Sequence, residues 1–584
     1  MLFSAPGRAA IGAGGARLLT RGMRAGSYPR GGRVHLRLWA AERLVAAFNV
    51  ASVAGTPLAP RYARWLGCTV GDHVALHALP PVTGLAEFGA GSSIEPEADV
   101  AGWWLDGDVL HVGSVRVGPE ARVGTRSVLM PGAEVGAGAE IAPGCCVTGP
   151  VPALEYWHGS PARPADGDAA GTVQDWPAPE HRTSRRWGLA YLLSLPALQT
   201  LPLLAAAPAG ITLFVLLRHT TSYGRAVELL LLLSVPAAAL TYACYAGLLG
   251  AAIRLLGCVL APGLHPGRGK TAWAAWLTYR LMDAARTQLF PIYASLLTPV
   301  WLRLLGARVG RRVEASTVLG LPGLMTLDDG AFLADDTLVA PFEVRGGWLR
   351  LGEAHVGRRA LVGNSGIVGP GRRLPENSLV GVLSDTPAEA APGSSWIGRP
   401  GLTISRVVEP TDTIRTYEPP RRLVWARVAV ELCRLLPLPV VAGLGDVTTV
   451  ALQEVLNRAG LAVAALAAGP VVLVSGVLAL LTTTAAKWLL VGRFRRGRHP
   501  LWSSFVWRNE LYDVFVEELA MPWLGQALLG TPFFAWWLRT LGPGSGVACG
   551  ASPTGSPRPT SSAWMTAPAS TAAWSSRPTS STTA

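Results

Sequence analysis

The chain has almost no lysine and no recognisable metal-binding spacing. Lys270 and Lys487 are its only lysines, so the net charge of +13 comes from arginine. No basic run is interleaved with aromatic residues, which argues against a nucleic-acid partner. Its 7 cysteines lie far apart except for Cys145 and Cys146, with no Cys-x-x-Cys or Cys/His pattern. We therefore expect no metal, no nucleic acid, and reduced thiols in a reducing compartment.

Several familiar signals are also missing. No Gly-x-Ser-x-Gly, P-loop or dinucleotide glycine pattern occurs in a suitable context. The first 32 residues contain arginine and lack a sustained apolar core. They do not resemble a signal peptide, and we expect them to be disordered.

An internal repeat dominates what is present. Residues 66–164 match residues 305–403 without gaps at a constant offset of 239 positions. Within each copy an aliphatic or aromatic residue returns at every sixth position, apart from a short insertion near residues 101–111. In the first copy these residues are Val70, Leu76, Val82, Phe88, Ile94, Val100, Val117, Val123, Leu129, Val135, Ile141 and Val147.

A period of six is typical of a parallel β-helix built from hexapeptides. Each aliphatic residue is expected to point inward and to stack on the residue one coil above. Glycines such as Gly118 follow several of them, where a corner or a close backbone approach excludes a Cβ. The fold class is therefore mixed: two left-handed parallel β-helix domains separated by transmembrane and amphipathic α-helices.

Long apolar runs separate and follow the two copies. Half of the residues are hydrophobic. Residues 187–217 and 229–253 contain no charged residue and predict a transmembrane hairpin. Residues 461–486 predict a third span. Its partner near 428–444 contains Glu431 and Arg434, so a span and an interfacial helix are equally compatible there.

Arginine and lysine are concentrated where each predicted hairpin connects to the repeat copies. Fewer lie in the turn between the two helices of a hairpin. The positive-inside rule then places both β-helices in the cytoplasm of a multi-pass protein of the inner membrane. Trp- and Arg-containing amphipathic segments precede each copy and suit a membrane interface. The resulting boundaries are 1–32 disordered, 33–65 interfacial helices, 66–164 β-helix, 165–186 linker, 187–262 hairpin, 271–304 interfacial helices, 305–403 β-helix, 404–422 linker, 423–492 hairpin, 500–542 interfacial helices and 543–584 a disordered tail.

The tail has a second interpretation. After a third interfacial segment, a third β-helix is expected, but the chain becomes rich in Ser, Thr, Pro and Ala. Codons for Trp564-Met565-Thr566, read two bases later, give Asp-Asp, as at Asp328-Asp329 of the second copy. We expect residues 543–584 to be an out-of-frame tail without function.

Three sequence runs carry a family resemblance: LHALPPVTG at 76–84, DGDVLH at 106–111 and PLWSSFVWRNE at 500–510. From about Gly26 to Gly542 the chain resembles the membrane-bound C-terminal region of single-module nonribosomal peptide synthetases of the ε-poly-lysine synthetase type. The resemblance implies joining a free amino acid to a carrier-bound aminoacyl thioester. The printed chain contains neither an adenylation core nor a Gly-Gly-x-Ser carrier site, so no amino-acid activation is expected of it.

Hexapeptide β-helices that resemble acetyltransferases use a histidine as general base, and the first copy carries histidines that the second lacks. The candidate catalytic residues are His111, His77, Asp108 and Asp106, and the candidate substrate-binding residues are Glu95, Glu97 and Asp99. The alternative is that these are solvated residues at coil corners and in the insertion.

Three functions remain open. The first is aminoacyl transfer from a phosphopantetheine carrier to an amine, with an adenylation–carrier protein and the lipid bilayer as partners. The second is acyl transfer from acetyl-CoA, and the third is a non-catalytic membrane scaffold. The sequence predicts no covalently bound cofactor, and it leaves homo-oligomer formation open.

Overall fold

The structure is a computed structural model. It describes residues 4–165, 176–180, 184–220, 222–405, 417–493 and 499–542. The expected out-of-frame tail at 543–584 and the cations at Arg495, Arg496 and Arg498 lie outside the described residues. We call residues 66–164 the first strand stack and residues 305–403 the second strand stack.

The described residues contain twelve α-helices. They are α1 Ala5–Thr20, α2 Arg33–Ala47, α3 Ala59–Leu66, α4 Arg185–Leu217, α5 Tyr223–Gly257, α6 Lys270–Gln288, α7 Thr298–Leu305, α8 Arg421–Leu432, α9 Pro437–Leu490, α10 Ser504–Phe515, α11 Gln526–Leu528 and α12 Pro532–Thr540. A π-helical stretch, Val516–Gly525, joins α10 to α11.

The strands are short, and they fall into two similar series. The first series is β1 Gly26–Pro29, β2 Thr69–Val70, β3 Ala75–Leu76, β4 Ala86–Phe88, β5 Ser93–Ile94, β6 Trp103–Asp106, β7 Val109–Val112, β8 Val115–Val117, β9 Arg122–Val123, β10 Val128–Leu129, β11 Glu134–Val135, β12 Glu140–Ile141, β13 Cys146–Val147, β14 Pro150–Val151, β15 Tyr156–Gly159 and β16 Ala162–Pro164. The second is β17 Gly263–Pro266, β18 Arg308–Val309, β19 Glu314–Ala315, β20 Val318–Gly320, β21 Met325–Leu327, β22 Phe332–Leu333, β23 Thr337–Val339, β24 Glu343–Arg345, β25 Trp348–Leu351, β26 Ala354–Val356, β27 Leu361–Val362, β28 Ile367–Val368, β29 Arg373–Leu374, β30 Leu379–Val380, β31 Ser395–Ile397 and β32 Leu402–Ile404.

The strand register confirms the hexapeptide repeat. Thr69 lies beside Glu87 and Glu140 beside Arg122, in parallel ladders whose partners are eighteen residues apart. The second stack repeats this spacing, with Arg308 beside Thr326. Eighteen residues are three hexapeptides, so each coil contributes one strand to each of three faces. Ala86 instead pairs with Val115, because the insertion lengthens that coil.

The core of each stack consists of the residues that return at every sixth position. From Leu76 to Val147 the aliphatic and aromatic residues of the repeat are buried, and Val70 at the open end is partly buried. In the second stack, Val356, Val362, Val368, Leu374 and Val380 have no exposed surface. Glycines between coils allow the backbones to approach: a Cβ at Gly118 would lie 2.7 Å from the backbone nitrogen of Ala137.

Each insertion forms a β-hairpin that projects from its stack. β6 pairs with β7, and β1 from the N-terminal segment adds to β7 as a third antiparallel strand. In the second stack β24 and β25 form the equivalent hairpin, to which β17 adds. In both stacks, a strand from the preceding segment therefore pairs with the hairpin of the stack.

The expectation of disorder over residues 1–32 is wrong for the described part. α1 is a regular helix whose N-cap Ser4 accepts a hydrogen bond from the backbone N–H of Gly7. Four of its five alanines are buried: Ala5, Ala9, Ala13 and Ala16. The sequence looked weakly apolar because this helix packs through small residues rather than large ones: a Cβ at Gly15 would lie 2.2 Å from a Leu44 methyl carbon.

Among the residues that the structure describes, three helical segments are long and apolar enough to cross a membrane: Arg185–Leu217, Gly224–Gly257 and Arg421–Leu490. The first two are α4 and α5, which pack on each other. The third breaks at Gly460, where φ is 79°. Its two halves then lie side by side, since the Thr448 and Ser475 hydroxyls are 2.7 Å apart. This segment is therefore also a helical hairpin.

The structure explains the charges near the start of that second hairpin. The Arg434 guanidinium donates to the backbone carbonyls of Tyr293 and Ala294, both at 2.7 Å. Glu431 accepts a hydrogen bond from the backbone N–H of Leu296 at 3.1 Å. Because both side chains bind the interfacial segment before the second stack, the apolar part begins only at α9.

The three interfacial units, residues 33–65, 271–304 and 500–542, form a closed ring. The Trp276 indole of the second unit donates to the carbonyl of Ala54 in the first at 2.9 Å. The Trp39 indole of the first donates to Leu529 of the third at 3.1 Å. Arg434, which precedes the second apolar hairpin, bridges the other two units: it lies 3.8 Å from Glu510 of the third and donates to the carbonyl of Tyr293 of the second. Each accepting carbonyl precedes a residue with positive φ, namely Gly55, Ala294 or Gly530.

Candidate active site

Two ionic networks join the two strand stacks, and the first is centred on Arg122. Its guanidinium lies 2.8 Å from Glu95, contacts Glu140, and lies 3.1 Å from Glu343 of the second stack. Glu95 also accepts hydrogen bonds from the backbone N–H groups of Thr125 and Val344, both at 2.9 Å. Burial raises the pKa of Glu95 to about 7, and Arg122 opposes this. Glu95 thus holds the interface together, with no side of its carboxylate left for a substrate.

The second network surrounds Glu97. Its carboxylate accepts hydrogen bonds from the Arg126 guanidinium at 2.5 Å and from the Tyr279 hydroxyl at 2.6 Å. Arg126 lies 3.2 Å from Asp336 of the second stack, which also contacts Arg286 of α6. Burial acts against ionisation, yet the nearby guanidinium groups lower the pKa of Glu97 below its usual value. Glu97 is therefore an ionised carboxylate fixed in place.

Beside these networks lies a cavity of about 540 Å³ that we call the central cavity. Its wall includes Glu42 of α2, Tyr279 of α6 and Gln526 of α11, one from each interfacial unit. His77 and Phe342 bring the two strand stacks into the same wall. This is the kind of concave site, at a junction between structural units, where small substrates bind.

His77 is the titratable histidine in this wall. Its ring meets that of Phe342 at a centroid distance of 5.4 Å. Behind it is Gly55, with φ of 76°, where a Cβ would lie 2.6 Å from Nδ1 of His77. Burial lowers the pKa of His77 to about 4, so the imidazole is neutral near pH 7. Within the described residues, neither ring nitrogen has a hydrogen-bond partner.

Carboxylates share the central cavity with this imidazole. Glu42 accepts a hydrogen bond from the Trp103 indole at 2.6 Å, and burial raises its pKa to about 7. Asp99 uses one oxygen to accept from the backbone N–H of Ala101 at 2.9 Å, and burial raises its pKa. Glu97 and Asp283 also line the cavity, together with Arg43 and Arg280. Four carboxyl groups against two guanidinium groups leave an excess of acidic residues, which favours a cationic group.

The structure separates the candidate residues into two groups. His77, Glu97 and Asp99 meet in the central cavity. His111 lies on the β6–β7 hairpin, where Nδ1 is 3.0 Å from the Ser27 hydroxyl. Asp106 and Asp108 are exposed on the same hairpin and, like His111, do not line the central cavity.

Sequence reasoning missed the residues that other units contribute to the site. Glu42, Tyr279 and Phe342 are far from His77 in sequence, and the period of six does not include them. One signal was available: Glu42 and Tyr279 occupy the same place in two aligned Trp-containing segments. That alignment indicated a repeated helix, but not that its polar position faces a shared cavity.

No family model matches the chain. A curated relative, the delta-poly-L-ornithine synthetase of Acinetobacter baumannii (strain AB307-0294), is 27% identical over 545 residues. The match covers 90% of this chain and 41% of the synthetase. The resemblance to synthetases of the ε-poly-lysine type is confirmed. This chain spans about two fifths of the length of the poly-ornithine synthetase that it matches.

Solved structures with some likeness are hexapeptide-repeat acetyltransferases. The serine acetyltransferase of Neisseria gonorrhoeae in complex with serine is 22% identical, with a TM-score of 0.15, covering 23% of this chain and 53% of its own. A hexapeptide-repeat acetyltransferase of Vibrio cholerae is 13% identical, with a TM-score of 0.17, covering 28% and 91%. Scores this low carry no argument, so the fold assignment rests on the eighteen-residue strand register.

Proposed function

We propose that the chain transfers an aminoacyl group from a phosphopantetheine-bound thioester to an amine, forming an amide bond. The observation that carries this proposal is the neutral imidazole of His77 in a cavity with several carboxylates. Glu97 and Asp99 bind an ammonium group of the acceptor, while His77 acts on its reacting nitrogen. An adenylation–carrier unit supplies the thioester. The similarity to a poly-ornithine synthetase supports this class of reaction.

The chemistry needs only a modest base. The acceptor nitrogen attacks the thioester carbonyl, the new C–N bond forms, and the nitrogen becomes cationic and acidic. His77 takes that proton, the C–S bond breaks, and the proton passes to the leaving thiolate. A neutral imidazole can accept this proton. The lowered pKa of His77 makes it a weaker base than an ordinary histidine, but it makes the proton easy to pass on to the leaving thiolate.

The reaction is tested with the purified chain in lipid nanodiscs and a carrier loaded with an amino acid. Amide product detected by mass spectrometry supports the proposal. Acetyl-CoA is tested as the donor in a separate reaction without the loaded carrier. Product from acetyl-CoA alone would favour the acetyltransferase alternative, and no product from either donor would favour a scaffold.

Asp99 offers a sharper test, because one of its carboxylate oxygens has no hydrogen-bond partner among the described residues. We expect Asp99→Asn to raise the KM for the amine acceptor about tenfold, since one charge-assisted contact is lost. The kcat should change less. Asp72→Asn is a matched control, because Asp72 is exposed and does not line the cavity. Equal effects of both substitutions would contradict a role for Asp99 in acceptor binding.

Both strand stacks are proposed to be left-handed β-helices on the cytoplasmic side of a multi-pass protein. The domain boundaries follow those given above, with the interfacial helices starting at α1. Support comes from three apolar segments and from the cations at the ends that join the stacks, such as Arg185, Arg254 and Arg268.

Topology is measurable by labelling single cysteines in a background whose native cysteines are replaced. Cysteines at the exposed positions Ala153 and Val382, one in each stack, are expected to resist an impermeant maleimide in intact cells. A cysteine at His219, exposed in the turn between α4 and α5, should react. Reaction at either stack position before lysis would place that stack outside.

A further inference from the structure

His77 also borders a second cavity, of about 230 Å³, which we call the arm cavity. Its wall is formed by the loop at Gly55, the coil from His73 to His77, the start of α4 and the residues around Arg268. Among the described residues, His77 is the residue with a titratable side chain that lines both cavities. A phosphopantetheine arm in this cavity and an amine acceptor in the central cavity would therefore meet at this imidazole.

The two cavities differ in charge. The central cavity has four carboxyl groups, from Glu42, Glu97, Asp99 and Asp283, against the guanidinium groups of Arg43 and Arg280. Among the described residues that line the arm cavity there is no carboxylate, and the arginines there are Arg185 and Arg268. Neither guanidinium has a hydrogen bond or an ion pair in the part of the chain that the structure describes. Unpaired arginines in a cavity are suited to bind an anion, above all a phosphate.

The backbone adds to this positive charge. Arg185 is the first residue of α4, and the Ser184 side chain before it makes no capping hydrogen bond. The first turn contains no acidic residue. The start of the helix, with its uncapped N–H groups, therefore borders the same cavity as the two arginines, which favours a negatively charged ligand.

We propose that the arm cavity binds the phosphodiester of the carrier's phosphopantetheine arm through Arg185 and Arg268, which directs its thioester toward His77. This inference rests on the proposed aminoacyl transfer. It identifies separate entries for the two substrates: an anionic donor on one side of the imidazole and a cationic acceptor on the other. A phosphodiester is also present in membrane lipids, so the test must distinguish the arm from a lipid headgroup.

The test compares two donors with the same aminoacyl group. One is the loaded carrier, and the other is an aminoacyl N-acetylcysteamine thioester, which lacks the phosphate. We expect the double variant Arg185→Ala, Arg268→Ala to raise the KM for the loaded carrier by at least tenfold and to leave the KM for the small thioester unchanged. Arg186→Ala is the matched control, because Arg186 is adjacent on α4 but lines neither cavity. A double lysine variant, which keeps both charges beside the membrane, should give an intermediate KM.

Each outcome has a distinct meaning. An equal loss with both donors would show that the arginines act on the structure of the site, and no loss with either would show that they bind no arm; both results overturn this inference but leave the proposed transfer intact. A wild-type chain that uses neither donor would overturn the transfer itself. If the effect of the double variant appears only in phosphatidylglycerol nanodiscs and not in phosphatidylcholine nanodiscs, the ligand is a lipid headgroup and the inference fails.

Discussion

Replacing His77 by glutamine is expected to reduce aminoacyl transfer by about 100- to 10,000-fold, the usual contribution of a positioned general base. Glutamine keeps a polar side chain against Gly55 and Phe342 but cannot accept and return a proton at the reacting nitrogen. The loss should appear in kcat with both the loaded carrier and the small thioester, because His77 borders both cavities. Initial rates of amide formation at saturating donor give the measurement.

The matched control is His111→Gln, since His111 lies on the hairpin beside Ser27 and outside the central cavity. It should transfer at close to the wild-type rate. Loss of transfer in the His111 variant alone would instead return the active site to the hairpin with Asp106 and Asp108. Wild-type rates in both variants would favour the scaffold.

The pH dependence follows from the same environment. Burial lowers the pKa of His77 to about 4, so the neutral form is present above that value and is lost as the pH falls through it. Protonation of this residue should therefore not reduce transfer between pH 7 and pH 5.5. An unperturbed imidazole would already be largely protonated at the lower end of that range.

Replacing Leu129 by aspartate is expected to destabilise the first strand stack by about 4 kcal/mol or more. The side chain is 2% exposed and sits in the aliphatic column of the coil. The substitution removes its apolar burial and places a carboxylate where no partner is available. Thermal unfolding of the purified full chain in detergent should show a much lower midpoint, or the chain should fail to accumulate.

Leu154→Asp provides the matched control in the same stack. Leu154 is 84% exposed, and its φ is 64°, a conformation that aspartate tolerates better than leucine. Its unfolding midpoint should stay close to that of the wild type. If Leu129→Asp and Leu154→Asp unfold at the same temperature, the aliphatic columns are not the source of stability.

The strand stacks could be predicted from sequence because a short, repeated pattern of residues specifies each coil. Each coil repeats the same six-residue pattern, so the column from Leu76 to Val147 follows from spacing alone. The apolar helical hairpins are predictable for a similar reason, since an apolar run of sufficient length is a local property. Near residues 428–444 the sequence could not decide between a span and an interfacial helix. The structure shows why, because Glu431 and Arg434 bind the backbone of Leu296 and Tyr293.

The site depended on contacts between parts of the chain that no local pattern connects. Glu95 looked like a substrate ligand from its place near histidines, yet Arg122 and the backbone of Val344 occupy it. His77 and His111 could not be separated from sequence, because their difference is the position of a hairpin relative to the other stack. The helix α1 was missed because alanine and glycine, which allow close packing, give a weak signal in hydrophobicity.

The closed ring of interfacial units has a consequence for synthesis of the protein. The central cavity takes Glu42 from the first unit, Tyr279 from the second and Gln526 from the third. During translation, the cavity therefore lacks its last wall until the third unit has left the ribosome and Trp39 has met Leu529. A nascent chain that already contains both strand stacks would still hold His77 in an open site. The order of the units along the chain thus delays completion of the cavity until both apolar hairpins have been synthesised.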